Sequence, residues 1–266
     1  MADATYIHGT DSAEQERLAL LNRLTNQSFI EFLSISGAQA ILELGSGLGL
    51  LAEQIATLYP QSEVWGIEYA QAQLASVKDL HRPNLRFLQG DAHRLPFADE
   101  SIDLVYCRYV LEHVAAPHRV LGEAHRVLKP GGKIRLQENN ILAFVLYPDC
   151  PRFAAVWRQF ARLQAQLGGD ALIGKKLLPL VKTAGFNDVV LSIAPEIHYA
   201  GVPTFRPWVE NLIGNVRSGE QELQKRHLAT WEEIAEALAE LQTFMERDDA
   251  STFFYWNRAA GQKAAR

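Results

Sequence analysis

The stretch "ILELGSGLG" at residues 41–49 constrains the fold more than any other part of the chain. An apolar, strand-like run drives into glycines at 45, 47 and 49, and a helical pattern carrying Leu51, Ile55 and Leu58 follows. Strand, glycine turn and helix in that order open an α/β sheet, whose ligands sit outside the carboxyl ends of parallel strands. Glycine there permits φ > 0 and lets backbone come close to something bulky. The same alternation continues, with strands expected at 40–44, 64–68, 85–89, 102–106 and 133–138 and helices between them. That order predicts a parallel sheet with crossover helices on its faces. Lys129-Pro-Gly-Gly132 is expected to stop the last of these helices.

Outside this core the pattern is looser. Residues 1–10 read as an extended arm, and Asp11 with Glu14 reads as a capping box that starts a first helix. Pro151 opens a helix whose Phe153, Val156, Trp157, Phe160 and Leu163 share one face. A further helix ends at Gly185 before a strand at 188–193, and Thr230 with Glu233 caps one carrying Ile234, Leu238 and Leu241. The aromatic run at 252–258, "TFFYWNR", is expected as the last strand. These signals divide the chain into an arm with cap helices, 1–36, and one domain, 37–266, holding inserts at 139–170 and 194–250.

Composition removes several classes of function. At 266 residues and 48% hydrophobic, the chain can bury a full core. The formal charge of −5 and the lack of a Lys/Arg-rich block argue against a nucleic-acid partner. No run of apolar residues is long enough to span a membrane, and residues 1–10 lack a secretory pattern, so a cytoplasmic location is expected. Cys107 and Cys150 are isolated, which fits no zinc motif; no metal is expected.

What the glycine loop binds can be narrowed by its neighbours. The dinucleotide fingerprint asks for glycine at 50, where Leu50 stands, and no Gly-Lys-Ser/Thr follows, so phosphate-bearing cofactors are disfavoured. Glu68 closes the second strand, where a carboxylate can accept both hydrogens of a ribose diol and repel a 2′-phosphate. Asp91, in "LQGDA", can accept from an adenine amino group, with the Ala92 N–H meeting a ring nitrogen. The two carboxylates follow Glu43 at steps of 25 and 23 residues. Adenosine without phosphate fits this arrangement.

The motifs "ILELGSGLG", "VWGIEY", "LQGDAHRLPFADESIDLVYCRYVLEHV" and "EAHRVLKPGGKIRLQE" resemble those of the class I S-adenosylmethionine-dependent methyltransferases, especially the small-molecule group that methylates ubiquinone and menaquinone precursors. The likeness is continuous over 40–138 and weaker beyond. It implies a three-layer, Rossmann-like sandwich around a seven-stranded, mostly parallel sheet whose last strand runs antiparallel. It also implies that Glu43, Gly45, Gly47 and Gly49 hold the amino-acid end of S-adenosylmethionine, Glu68 the ribose, and Asp91 with Ala92 the adenine. Tyr69 and Arg108, at the ends of the second and fourth strands, join this cofactor set, and S-adenosylhomocysteine would be the product. A Tyr-x-His-Gly start like the one here serves some small-molecule members as a lid, which puts Tyr6 over the cofactor.

For in-line displacement at a sulfonium methyl, proximity and orientation supply most of the rate, worth roughly 7–11 kcal/mol, and a base is a secondary aid. His113, in "VLEHV", is the first candidate base, and Glu138, ending the fifth strand, is the second. Members of the family it resembles place a substrate-facing His or a His pair where this chain has Glu112-His113. The acceptor is expected to be a small apolar or aromatic molecule reacting at O, N, C or S, with Tyr147, His198 and Tyr199 of the inserts as candidate contacts. Three other readings stay open: a protein acceptor, a binding module without catalysis, and a nicotinamide oxidoreductase. An arm of this kind also allows exchange between protomers in a homodimer.

Overall fold

A computed structural model describes residues 12–77 and 80–265. The arm, Tyr6 and the Asp11 half of the expected capping box lie outside the described residues. The first helix, α1, runs Ser12–Leu33, and Glu14 is buried in it as the bidentate partner of Arg17.

Among the described residues the expected alternation forms one sheet of eight strands. Four parallel strands, β1 (Ala40–Leu44), β2 (Glu63–Glu68), β3 (Leu85–Gln89) and β4 (Ile102–Arg108), are joined by α2 (Leu50–Leu58) and α3 (Gln71–Ser76) and lead into α4 (Pro117–Val127). Ile41, Leu42, Leu44, Val105, Tyr106 and Cys107 are wholly buried, as central parallel strands must be when helices cover both faces. On one face α1 and α2 deliver Phe29, Leu33, Leu51 and Ile55; on the other α4 and α6 (Leu177–Thr183) deliver Val120, Leu121, Leu177 and Val181.

The fifth strand, β5 (Leu128–Glu138), starts earlier than the Pro-Gly-Gly signal suggested. Leu128 already pairs with Ile102, and a register shift then absorbs the turn before pairing resumes at Lys133. A three-residue strand, β6 (Val145–Tyr147), is followed by α5 (Pro151–Gln166), α6 and the long β7 (Asn187–Tyr199). The final strand, β8 (Ser251–Gln262), lies antiparallel between neighbours: β5 and β6 share one side and β7 takes the other. The order is therefore β3-β2-β1-β4-β5-β8, with β7 outermost, which is the expected sheet plus the short β6. Helices α5, α7 (Phe205–Lys225) and α8 (Trp231–Met245) form a second apolar cluster. Leu21 of α1, Trp208 of α7, and Phe254 and Trp256 of β8 link it to the sheet.

Candidate active site

The glycine loop is pinned to the next strand: the N–H groups of Gly45 and Ser46 both donate to the Ile67 carbonyl, at 2.9 and 3.0 Å. Gly45, Gly47 and Gly49 all have positive φ (67°, 52° and 70°), which explains glycine at each. Their surroundings differ. A Cβ on Gly45 would sit 2.4 Å from Val110 Cγ2, and one on Gly49 2.6 Å from Phe87 Cζ, whereas one on Gly47 would meet nothing within 4 Å. Two of the glycines thus let the protein close on itself, and the middle one opens toward a cavity.

That cavity has a volume of about 640 Å³ and lies over the carboxyl ends of β1, β2 and β4. Glu43, Gly45, Gly47, Glu68, Tyr69, Asp91, Ala92, Arg108 and His113 all border it. The Glu68 carboxylate ties the loop together, accepting from the N–H of Gly47 (2.8 Å) and of Ala70 (2.9 Å) with different oxygens. Asp91 Oδ1 accepts from the His93 N–H at 2.8 Å and lies 2.7 Å from His93 Nδ1. Burial works to raise the Asp91 carboxyl, and these bonds outweigh it, so Asp91 titrates below the ordinary range. Glu43 behaves oppositely: burial pushes it up to about 8, against the lowering influence of the Arg108 charge and of the Tyr106 hydroxyl, which approaches without closing a hydrogen bond. Arg108 is itself held by α1, donating to Asn22 Oδ1 and Asn26 Oδ1 (both 2.8 Å) and to Thr25 Oγ1 (3.2 Å).

His113 sits in a single helical turn, Leu111–His113, after β4. Its Nε2 lies 3.8 Å from Glu112 Oε1, and burial holds its pKa below the ordinary value although Glu112 opposes this. Glu138 lies beneath that turn, wholly buried, and does not border the cavity. Its oxygens accept from the N–H groups of Val110 (3.1 Å), Leu111 (2.9 Å) and Glu112 (3.4 Å), and burial together with the Glu112 charge raises its carboxyl to about 8. Next to it, Tyr109 adopts φ 59°, a strained backbone for a residue with a side chain, and its ring packs at a tilt against Trp256 with centroids 4.4 Å apart.

The other wall comes from α1, α5, α7 and β8. Phe144, Trp157, Phe160, Trp208, Phe254 and Trp256 supply an aromatic surface, and Glu112, Asn139 and Gln164 a polar one. Tyr147, His198 and Tyr199 do not border the cavity. Tyr147 and Tyr199 are exposed on the far face of the sheet. His198 is buried behind the wall, stacked on Trp208 at 4.4 Å and bonded to Thr204 Oγ1 (2.9 Å) and Glu196 Oε2 (3.3 Å). Sequence reading missed Phe144, Gln164 and Asn139. Trp157, Phe160 and Gln164 share a helical face, but that spacing signals only an apolar stripe, and a stripe beside a cavity reads like one in a core.

The methyltransferase domain profile matches residues 42–136, from β1 to β5. A demethylmenaquinone methyltransferase of Thermus thermophilus is 31% identical over 167 residues, covering 58% of this chain and 72% of the relative. The chain belongs to the class I S-adenosylmethionine-dependent methyltransferases. A ubiquinone/menaquinone biosynthesis C-methyltransferase of Desulfotalea psychrophila is 35% identical over 166 residues, covering 58% of this chain and 68% of that one. Three other relatives that this methyltransferase matches are longer, and it spans 46%, 25% and 55% of their lengths. The fold agrees with that of a methyltransferase from Thermotoga maritima, with a TM-score of 0.58 at 16% identity over 97% of this chain and all of that one.

The cofactor of this methyltransferase is S-adenosylmethionine, and the cavity suits it. Glu43 Oε2 and Ser46 Oγ are buried without hydrogen-bond partners, the open side of Gly47 leaves room against the loop, and Glu68 and Asp91 stand at the next two strand ends. Among the described residues, no helix is long and apolar enough to cross a membrane.

Proposed function

We propose that the enzyme transfers a methyl group from S-adenosylmethionine to a small acceptor with an apolar or aromatic body. One observation carries this: a single cavity runs from the glycine loop to an aromatic wall, so cofactor and acceptor share one chamber. Glu43 and the loop hold the amino-acid end, Glu68 the ribose, and Asp91 with Ala92 the adenine, while Tyr69 and Arg108 flank that half. The bound cofactor supplies an already activated methyl group. The protein's own share is then to orient the acceptor and exclude water.

His113 is the group we assign to proton removal. It borders the cavity, and its lowered pKa leaves it neutral and able to accept near pH 7. Glu138 acts one layer back, as a positioning residue that gathers the N–H groups of the turn bearing His113. The relatives that methylate quinone precursors support small-molecule metabolism as the setting. Calorimetry with S-adenosylhomocysteine, followed by a methyl-transfer assay over an acceptor panel, tests the reading. Absence of cofactor-product binding would overturn it, and so would binding with no transfer to any small acceptor.

A further inference from the structure

The acceptor half of the cavity contains an electrostatic feature that an apolar pocket does not need. Glu112 has a side chain only 4% exposed, yet it borders the cavity. Its carboxylate oxygens accept from neutral amides, Asn139 Nδ2 at 3.1 and 3.3 Å and Gln164 Nε2 at 3.3 Å; His113 Nε2 lies 3.8 Å away, and the buried Glu138 carboxyl feels the same charge. Two arginines that border the cavity are committed elsewhere. Arg17 is bridged at 2.7 Å to both oxygens of Glu14, and Arg108 is bound to α1. A buried carboxylate without a full cationic partner is costly, and a bound cation relieves that cost.

The aromatic wall stands beside this carboxylate. Phe160 and Gln164 are one turn apart on α5, with Trp157 on the same face, so the amide that holds Glu112 stands beside two stacked rings 5.4 Å apart. The Trp157 Nε1–H donates to the Ile141 carbonyl at 2.6 Å and is not available as a donor to a ligand. The two rings face each other, so what they give a ligand is an apolar surface for its body, and selection for positive charge rests on Glu112. We infer that the acceptor is an amine on an apolar or aromatic body, its nitrogen held by Glu112 between α5 and the turn that carries His113. This rests on the methyltransferase reading above. In the transfer, the bound ammonium first gives one proton to neutral His113, which passes it to solvent; the freed nitrogen lone pair then forms the N–CH3 bond as the methyl–sulfur bond breaks with its electrons left on sulfur, and the positive charge moves from the sulfonium to the methylated nitrogen.

The test is calorimetric and uses the full chain. Titration with S-adenosylhomocysteine comes first, since its failure sinks the methyltransferase reading and not this one alone. The loaded protein is then titrated with trios that share a body and differ in the head group: phenyl, naphthyl and decyl amines, alcohols and carboxylates. The amine should bind about tenfold or more tighter than the alcohol in each trio that binds, and the carboxylate weakest. Glu112→Gln should remove that preference, lowering amine affinity about tenfold and leaving the alcohol within about twofold. If the variant does not fold, the wild-type trios decide. Equal binding of amine and alcohol, a preference for the carboxylate, tighter binding of 1,4-dihydroxynaphthalene than of any amine, or no binding by any trio would overturn the inference.

Discussion

At the scale of single residues, the glycine loop and Glu43 make separable predictions. Gly47 has φ 52° but empty space where a Cβ would point. Gly47→Ala should therefore cost only the left-handed backbone strain, about 1–2 kcal/mol, while the added methyl projects where the cofactor lies. A thermal melt should show a small drop and calorimetry a large loss of S-adenosylhomocysteine affinity; the reverse pattern would mean that the loop does not face the cofactor. Glu43 is raised from 4.5 to about 8, so the folded protein holds a proton that the unfolded chain releases. Stability from this group is present below pH 4.5 and is lost as pH rises through 8. Glu43→Gln should gain on the wild type in melts run from pH 5 to 8, by a few degrees at the upper end. Holding an ammonium group requires Glu43 to be charged. Wild-type affinity for S-adenosylhomocysteine should then rise between pH 6 and 8, by up to about tenfold per unit, and Glu43→Gln should flatten that slope.

At the scale of elements, the clearest local signal is the capping box of α8. Thr230 Oγ1 accepts from the Glu233 N–H at 3.1 Å and Glu233 returns the bond to the Thr230 N–H at 2.7 Å. Thr230→Ala should lower the melting temperature by about 2–4 °C and leave cofactor affinity unchanged, because α8 does not border the cavity. This cap, the Pro151 start of α5 and the run from β1 to β5 were legible in the sequence because each is written in a short window. The far edge of the sheet was not. Strand β7 continues six residues past its expected end at 193 because all of β8 stands ready to pair with it, and β6 exists only through its bonds to 251–253. Without that extent, the facing of His198 and Tyr199 could not be read. Adjacent residues on a strand point to opposite faces, so His198 packs under Trp208 and Tyr199 meets solvent, and neither enters the cavity. The residues expected around the cofactor could be drawn to one cavity because their carboxylates stand at strand ends, whereas the opposite wall is assembled from elements distant in sequence, α1, α5, α7 and β8 among them.

At the scale of the whole molecule, this division of labour has a measurable consequence. The sheet core builds one half of the cavity, while the inserts and the first helix build the other, and the two meet at the turn that carries His113. Damage to either half should separate binding from turnover. Glu68 sits in the cofactor half and fixes the Gly47 and Ala70 N–H groups. Glu68→Ala should weaken S-adenosylhomocysteine about 10- to 100-fold, the worth of losing hydrogen bonds to a charged group. Phe144 sits in the other half, stacked on Phe254 at 4.5 Å and edge-on to Trp157 at 6.2 Å. It is only partly buried, so Phe144→Leu should fold. Its cofactor affinity should match the wild type within about twofold, and its KM for the acceptor should rise, because the lost contacts are made with the acceptor's apolar body. Calorimetry and steady-state kinetics on the two variants check both halves at once. If Phe144→Leu weakened the cofactor as much as Glu68→Ala does, the cavity would be one indivisible site. Its aromatic wall would then belong to the cofactor, leaving the acceptor to be sought outside it.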